Sequence, residues 1–148
     1  MNARCTSKAA GPQVATTLAD FEAGRVDGAN FNHAAHVHVA WQLLAEVPLL
    51  HAIARYTSAL RRLTHQLSVP GKYHETITWF FILVVAERRR SCPTGKWSDF
   101  AAANPDLTCD PAAMLAKYYS PARLASEAAR STFLLPDLAP LQGAGTTR

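Results

Sequence analysis

The chain has 148 residues, a length that fits one domain large enough to bury a core without disulfides or a metal to hold it together. Hydrophobic residues make up 49% and charged residues 18%, a composition that excludes a disordered or fibrous chain. The net charge of +4 is spread over 15 Lys and Arg without a basic stripe interleaved with aromatics, so nucleic-acid binding is not expected.

Cysteine usage and hydropathy favour a cytoplasmic protein. The three cysteines, Cys5, Cys92 and Cys109, are odd in number and lack CxxC spacing, so neither a disulfide framework nor a thiolate zinc site is expected. The N-terminal stretch MNARCTSKAAGPQVATT has no apolar segment of the kind that a secretory signal needs. The longest apolar run, residues 79–86, is too short to span a bilayer, so we expect no membrane partner.

The N-terminal third of the chain predicts a tail and two helices. Residues 1–13 are small and polar and are expected to form a flexible tail. A helix over about 14–23 follows and ends at Gly24, because glycine readily takes the left-handed conformation that terminates helices. The side chain of Asn32 can accept from the free amides of a first helical turn, which predicts a second helix over about 33–47.

Two further long helices are predicted in the middle of the chain. Pro48 suits the first position of a helix that keeps one mostly apolar face down to about Ser68, before Pro70–Gly71 breaks it. A third long helix is predicted over about 73–90. Its segment ITWFFILVV also has the composition of a buried strand, but no second strand-like segment is available to pair with it. Its length therefore favours a helix.

Shorter helices are predicted after a loop at 91–97. The residues Ser98, Asp110 and Ser120 are natural helix caps. They predict three helices, over about 98–103, 110–118 and 121–130.

The whole pattern predicts an all-α fold, a helical bundle of three long helices plus shorter C-terminal helices. We expect a single domain over 14–141. Residues 142–148, which follow a stretch rich in proline and glycine, are expected to form a second flexible tail. The oligomeric state is left open.

The stretch FNHAAHVHVAW carries three histidines near the start of the helix predicted over 33–47. With a step of about 100° per residue, His38 lies about 200° around the helix from His36, so one metal ion cannot easily use both. His33 and His36 have i, i+3 spacing, which points both rings to one side. This pair, rather than the whole stretch, predicts a site.

Helix topology adds a third histidine to this pair. If short turns make the three long helices antiparallel neighbours, the first and third run parallel and their N-termini lie at the same end of the bundle. His74, at the start of the third long helix, then converges with His33 and His36. Neutral histidines, which helix N-termini favour, are ligands for zinc or non-haem iron. We therefore predict that the three histidines hold a divalent metal, Fe or Zn, or act directly in proton transfer.

The segment YHETIT supplies further candidate groups. Glu75 is predicted to be a base or a residue that orients an imidazole, and Thr78 to bind substrate or water. Together with His74 they form the predicted catalytic set. The predicted substrate contacts are Trp41, Tyr73 and Arg123. The other histidines, His38, His51 and His65, are expected to be structural.

Three signatures together resemble a family of small bacterial helical proteins. They are FNHAAHVHVAW, KYHETIT, and YYSPARLASEAAR running into PDLAPL, and the likeness covers about residues 31–141. The first two share the patterns F-x-H-x-x-H and Y-H-x-T-I-T. The resemblance implies that the C-terminal helices, with Arg123, close over the pocket, and it brings no reaction with it. It also implies one site made of His33, His36, His74, Glu75 and Thr78.

The leading interpretation is an enzyme that acts on a small polar or anionic molecule at this histidine-rich end of the bundle, with or without a metal. Oxygen-dependent oxidation and hydrolytic or lyase chemistry both stay open. One alternative is a non-catalytic module that binds a small molecule or a metal. A second is a metal-free acid–base enzyme that uses histidine and glutamate.

Overall fold

The computed structural model describes residues 16–92 and 94–138. It confirms the predicted all-α class, because this part of the chain contains helices and no strand. After one short helix come three long helices, and shorter helices follow them, as predicted. The helices are α1 (Leu18–Glu22), α2 (His33–Glu46), α3 (Leu49–Gln66), α4 (Glu75–Arg90), α5 (Trp97–Ala103), α6 (Pro105–Cys109), α7 (Pro111–Ala116), α8 (Pro121–Ala125) and α9 (Glu127–Ser131). The predicted tails at 1–13 and 142–148 lie outside the described residues.

The first two helices have the predicted termination and capping signals. Gly24 follows α1 with a φ of +71°, the left-handed conformation that a side chain would disfavour. The side chain of Asn32 accepts a hydrogen bond of 3.0 Å from the Ala35 amide and so caps α2. Thr17 caps α1, which is therefore shorter than the helix predicted over 14–23.

Helices α3 and α4 differ from the predictions at their starts. Pro48 is the N-cap of α3 rather than its first residue. A 3₁₀ turn, Pro70–Lys72, separates α3 from α4. His74, which was predicted to lie inside the third long helix, is instead its N-cap, with extended backbone angles.

The C-terminal helices correct three predictions. Ser98 does not cap a helix, because α5 begins one residue earlier at Trp97. Helix α6 was not predicted at all. The helix predicted over 121–130 is broken at Ser126, whose extended backbone ends α8 and whose side chain caps α9. The predicted caps Asp110 and Ser120 are confirmed.

Two apolar cores lie on either side of α2 and α4. The first core packs α1, α2 and α3, together with Ile82 of α4, around residues such as Phe21 and Leu43. The second packs α2 and α4 against α5, α6 and α7 around residues such as Phe100 and Leu107. Because α2 and α4 contribute to both cores, any space between the cores is bordered by these two helices.

The segment after α9 returns along the start of α4, where hydrogen bonds to its backbone and the stacking of Phe133 on Trp79 hold it. The buried hydroxyl of Thr76 donates to the Thr132 carbonyl at 2.8 Å and accepts from the Leu134 amide at 3.1 Å. Leu135 and Leu138 remain exposed, so their side chains do not attach this segment. In the residues described, no helix combines the length and the apolar character that crossing a membrane requires.

Candidate small-molecule site

A cavity of about 400 Å³ lies between the two cores, a volume within the range of small-molecule pockets. Helices α2, α3, α4 and α7 and the 3₁₀ turn form its wall. Most of the lining is apolar. The lining residues are His33, His36, Val37, Ala40, Tyr56, Leu60, Lys72, His74, Ile77, Thr78, Phe81, Ile82, Val85, Pro111, Ala112 and Leu115.

The structure brings His33, His36, His74 and Thr78 to this one cavity. The first turn of α2 and the N-cap of α4 therefore lie at the same end of the bundle, as expected if the first and third long helices run parallel. The three imidazoles nevertheless differ in which ring nitrogens remain available, and this difference decides what each can do.

Both ring nitrogens of His74 have partners within the fold. Nδ1 accepts from the Ile77 amide at 3.3 Å, which is the N-cap bond of α4. Nε2 therefore carries the ring proton and donates to the Leu124 carbonyl at 2.9 Å. Because neither nitrogen has a free lone pair, His74 is held as a structural link between α4 and α8 rather than as a base or a ligand.

His33 keeps one nitrogen free. Its Nε2 donates to the Leu107 carbonyl at 2.9 Å, so Nδ1 is the unprotonated nitrogen. Nδ1 has no hydrogen-bond partner among residues 16–92 and 94–138. The ring meets Phe81 edge-on, with centroids 4.6 Å apart. Burial lowers the pKa of His33, partly offset by the hydrogen bond to Leu107, so the ring is neutral and offers an acceptor.

His36 is also neutral, and its pKa is lowered to about 4 by burial and by the nearby His33. Its Nδ1 lies 2.9 Å from the Tyr56 hydroxyl, and its ring packs on Phe31 with centroids 4.0 Å apart. No described residue forms a hydrogen bond with Nε2. His36 thus offers one further polar atom at an otherwise apolar wall.

Glu75 does not line the cavity, contrary to its predicted role as base or orienter of a histidine. Its carboxylate accepts from Arg61 at 2.6 Å, from Trp79 at 2.8 Å and from the Tyr73 hydroxyl. Burial acts to raise the pKa of Glu75, but these hydrogen bonds outweigh it and hold the pKa below its usual value. The carboxylate is an ionised link between α3 and α4. Thr78 does line the cavity, and its hydroxyl donates to the His74 carbonyl at 2.8 Å.

Replacing Glu75 with glutamine is expected to lower the free energy of unfolding by about 1–2 kcal/mol, because it removes charge-assisted hydrogen bonds from a carboxylate that is only 13% exposed. Glu87→Gln, at an exposed position on the same helix, is the control and is expected to change stability by less than about 0.5 kcal/mol. Urea unfolding at neutral pH measures both. Equal effects at the two positions would show that the Glu75 link does not stabilise the fold.

The predicted substrate contacts lie outside the cavity. Trp41 packs against Trp97 and Phe100, with the Arg89 guanidinium over its ring. Tyr73 is bonded to Glu75, as described above.

The third predicted contact, Arg123, donates to the Leu135 carbonyl at 2.8 Å and secures the C-terminal segment. The family resemblance implied that the C-terminal helices, with Arg123, close over the pocket, but no residue of α8 or α9 lines the cavity. The Leu124 carbonyl of α8 accepts a hydrogen bond from His74.

The remaining histidines lie away from the cavity. His38 stacks on Trp97, with centroids 4.3 Å apart, and is bonded to Gln42. His51 and His65 are exposed on α3. None of these three histidines lines the cavity.

Two polar lining residues, Tyr56 and Lys72, were missed in the sequence. Tyr56 lies three residues after Ile53 on the apolar face of α3, and this spacing was a usable signal. Lys72 lies in the break between α3 and α4, and nothing local marks it as part of a site.

The geometry does not favour the predicted iron or zinc site. The part of the chain that the structure describes contains no group of three or more His, Cys, Asp or Glu placed to hold a metal ion. His74 also has no free lone pair to offer one. The metal therefore stays a prediction.

Comparison of the chain with protein-family models, with curated proteins and with solved structures gave no match. The resemblance to a family of small bacterial helical proteins therefore stays a prediction.

Proposed function

We propose that this protein binds a small, mostly apolar molecule in the cavity between the two cores. The observation that carries the proposal is the cavity itself, about 400 Å³ of space in an otherwise packed helical bundle. Protein interiors are close-packed, and a void of this size forfeits packing contacts that a stable fold would otherwise make. A bound molecule would restore those contacts.

Two neutral histidines would supply the polar contacts. Nδ1 of His33 is an acceptor without a partner, and Nε2 of His36 is likewise free of any bond to the described residues. A few polar atoms on an apolar wall are the usual means by which such pockets orient a ligand. The expected ligand therefore has an apolar body and at least one hydrogen-bonding group.

Binding without turnover fits the site better than catalysis. The predicted catalytic residues His74 and Glu75 are both occupied by bonds within the fold. His36, with a pKa of about 4, is a weak base at neutral pH.

Acid–base catalysis by His33 is the second candidate, and its free Nδ1 is the observation that favours it. A bound molecule that is turned over by the protein but not by His33→Asn, with its affinity unchanged, would support this candidate.

The exposed residue Ala112 allows the cavity to be blocked with little effect on the core. It lines the cavity at its solvent-exposed edge, whereas Ala113, the next residue of α7, is exposed and does not line it. We expect Ala112→Phe to weaken binding of the neutral fluorescent dye N-phenyl-1-naphthylamine by about tenfold or more, because a ring would occupy the ligand's space. Ala113→Phe is the matched control and should bind like the unaltered protein.

Fluorescence titration measures the dissociation constant, and urea unfolding checks that both variants are folded. The proposal fails if the unaltered protein does not bind the dye. It also fails if the two phenylalanine variants bind equally well, because the dye would then lie elsewhere.

A further inference from the structure

Charge at the cavity identifies a class of ligand. Lys72 lines the cavity and is exposed, and within the described ranges it forms no salt bridge. The lining residues include no Asp or Glu. Burial lowers the pKa of His33 and of His36, so both rings are neutral and add no charge to that of the lysine. Both ring nitrogens of His74 are occupied by hydrogen bonds within the fold. One positive charge therefore lies at the edge of a pocket without a negative one.

Polarity also changes along the cavity. Most polar lining residues lie at the starts of α2 and α4, where Lys72 precedes His74, and the Tyr56 hydroxyl of α3 reaches the same end through its bond to His36. Apolar lining residues continue deeper: Val85 lies eleven residues beyond His74, about 16 Å along α4 at 1.5 Å per residue. The cavity thus has a polar, cationic end and a long apolar interior.

We propose that the ligand is an amphipathic carboxylic acid, with its chain in the apolar interior and its carboxylate beside Lys72. This inference rests on the proposed binding function and specifies its ligand. A carboxylate placed deep in the cavity would be buried without a cation to pair with, which is strongly unfavourable. At the edge it meets one ammonium group and keeps contact with water.

A single lysine matches one negative charge. Phosphate groups carry more charge and are commonly recognised by arginine forks or by several donors. Among the described residues, no arginine lines this cavity. A monocarboxylate is therefore the better match.

The test uses two probes that share a chain but differ in charge, decanoate and decan-1-ol. We expect Lys72→Met to weaken decanoate binding by about three- to fivefold, the size of a partly exposed ion pair, and to leave decan-1-ol binding unchanged. Lys117→Met, at the exposed C-terminal end of α7 and outside the lining, should alter neither affinity. Added salt should weaken decanoate binding to the unaltered protein and have little effect on the variant.

Isothermal titration calorimetry at a mildly alkaline pH measures the affinity of each probe for the unaltered protein and for the two variants. The inference is overturned if Lys72→Met leaves decanoate binding unchanged, or if it weakens both probes equally. Failure to bind any probe, the neutral dye included, would instead overturn the proposed binding function. Binding of the dye and the alcohol without binding of decanoate would contradict a carboxylic acid as the ligand but would leave the proposed binding function in place.

Discussion

Replacing His74 with alanine is expected to destabilise the protein by about 2–4 kcal/mol. The change removes the N-cap bond to the Ile77 amide, a loss that typically costs about 0.5–2 kcal/mol. It also leaves the Leu124 carbonyl without the ring proton it accepts, and an unsatisfied buried acceptor costs about 1–3 kcal/mol. Urea unfolding followed by circular dichroism at neutral pH measures the sum.

Three further variants serve as controls, and the first of them separates these two contributions. His74→Asn keeps a side chain that caps helices well but is too short to replace the bond to Leu124, so about half of the loss should be recovered. His51→Ala and His65→Ala change exposed positions and should alter stability by less than about 0.5 kcal/mol. Equal losses at positions 74 and 51 would contradict the structural role of His74.

Lowering the pH from about 7.5 to about 5 is expected to cost the protein about 2 kcal/mol of stability through His36 alone. In the folded state its pKa is lowered from 6.5 to about 4. The unfolded chain therefore binds a proton at a pH where the folded chain does not. This contribution is fully present above the unfolded pKa, is lost progressively as the pH falls from about 6.5 to about 4, and does not change further below that.

The control for this effect is His36→Gln, which replaces the imidazole with a neutral amide. Between the two pH values the variant should lose about 2 kcal/mol less stability than the unaltered protein does. This difference does not depend on how stable the variant is at neutral pH. The remaining loss includes the contribution of His33, whose pKa is lowered in the same direction. Carboxylates such as Glu75, whose pKa is also lowered, act only below about pH 4.5 and do not affect this window. Identical pH dependence in the two proteins would exclude a buried neutral His36.

Local signals in the sequence predicted the helices well. The side chains of Asn32, Asp110 and Ser120 each accept a hydrogen bond from the amide three residues later in the chain. The interaction that starts each helix therefore joins residues that are close in sequence. Gly24 ends α1 for an equally local reason. The break at Ser126 escaped prediction because Ser126 has a local capping bond that competes with continuing the helix, and the sequence does not show which prevails.

The predicted meeting of His33, His36 and His74 at one cavity came from combining helix spacing with the topology of short connections. Their roles did not follow from that meeting. His33 donates to a carbonyl 74 residues away, and His74 to one 50 residues away. The bond to Leu107 leaves His33 with one free nitrogen, whereas the bond to Leu124 and the local bond from the Ile77 amide leave His74 with none.

The amino-acid sequence by itself determined the all-α class, the three long helices and the end of the bundle at which the histidines gather. These features depend on interactions within a turn of helix or on short connections. Only the tertiary structure decided that Glu75 is an ionic link to Arg61, that Arg123 holds the C-terminal segment, and that Lys72 lies at the edge of an apolar cavity. The availability of a ring nitrogen or a carboxylate depends on which distant groups pack against it, and the spacing of residues along one helix does not contain that information.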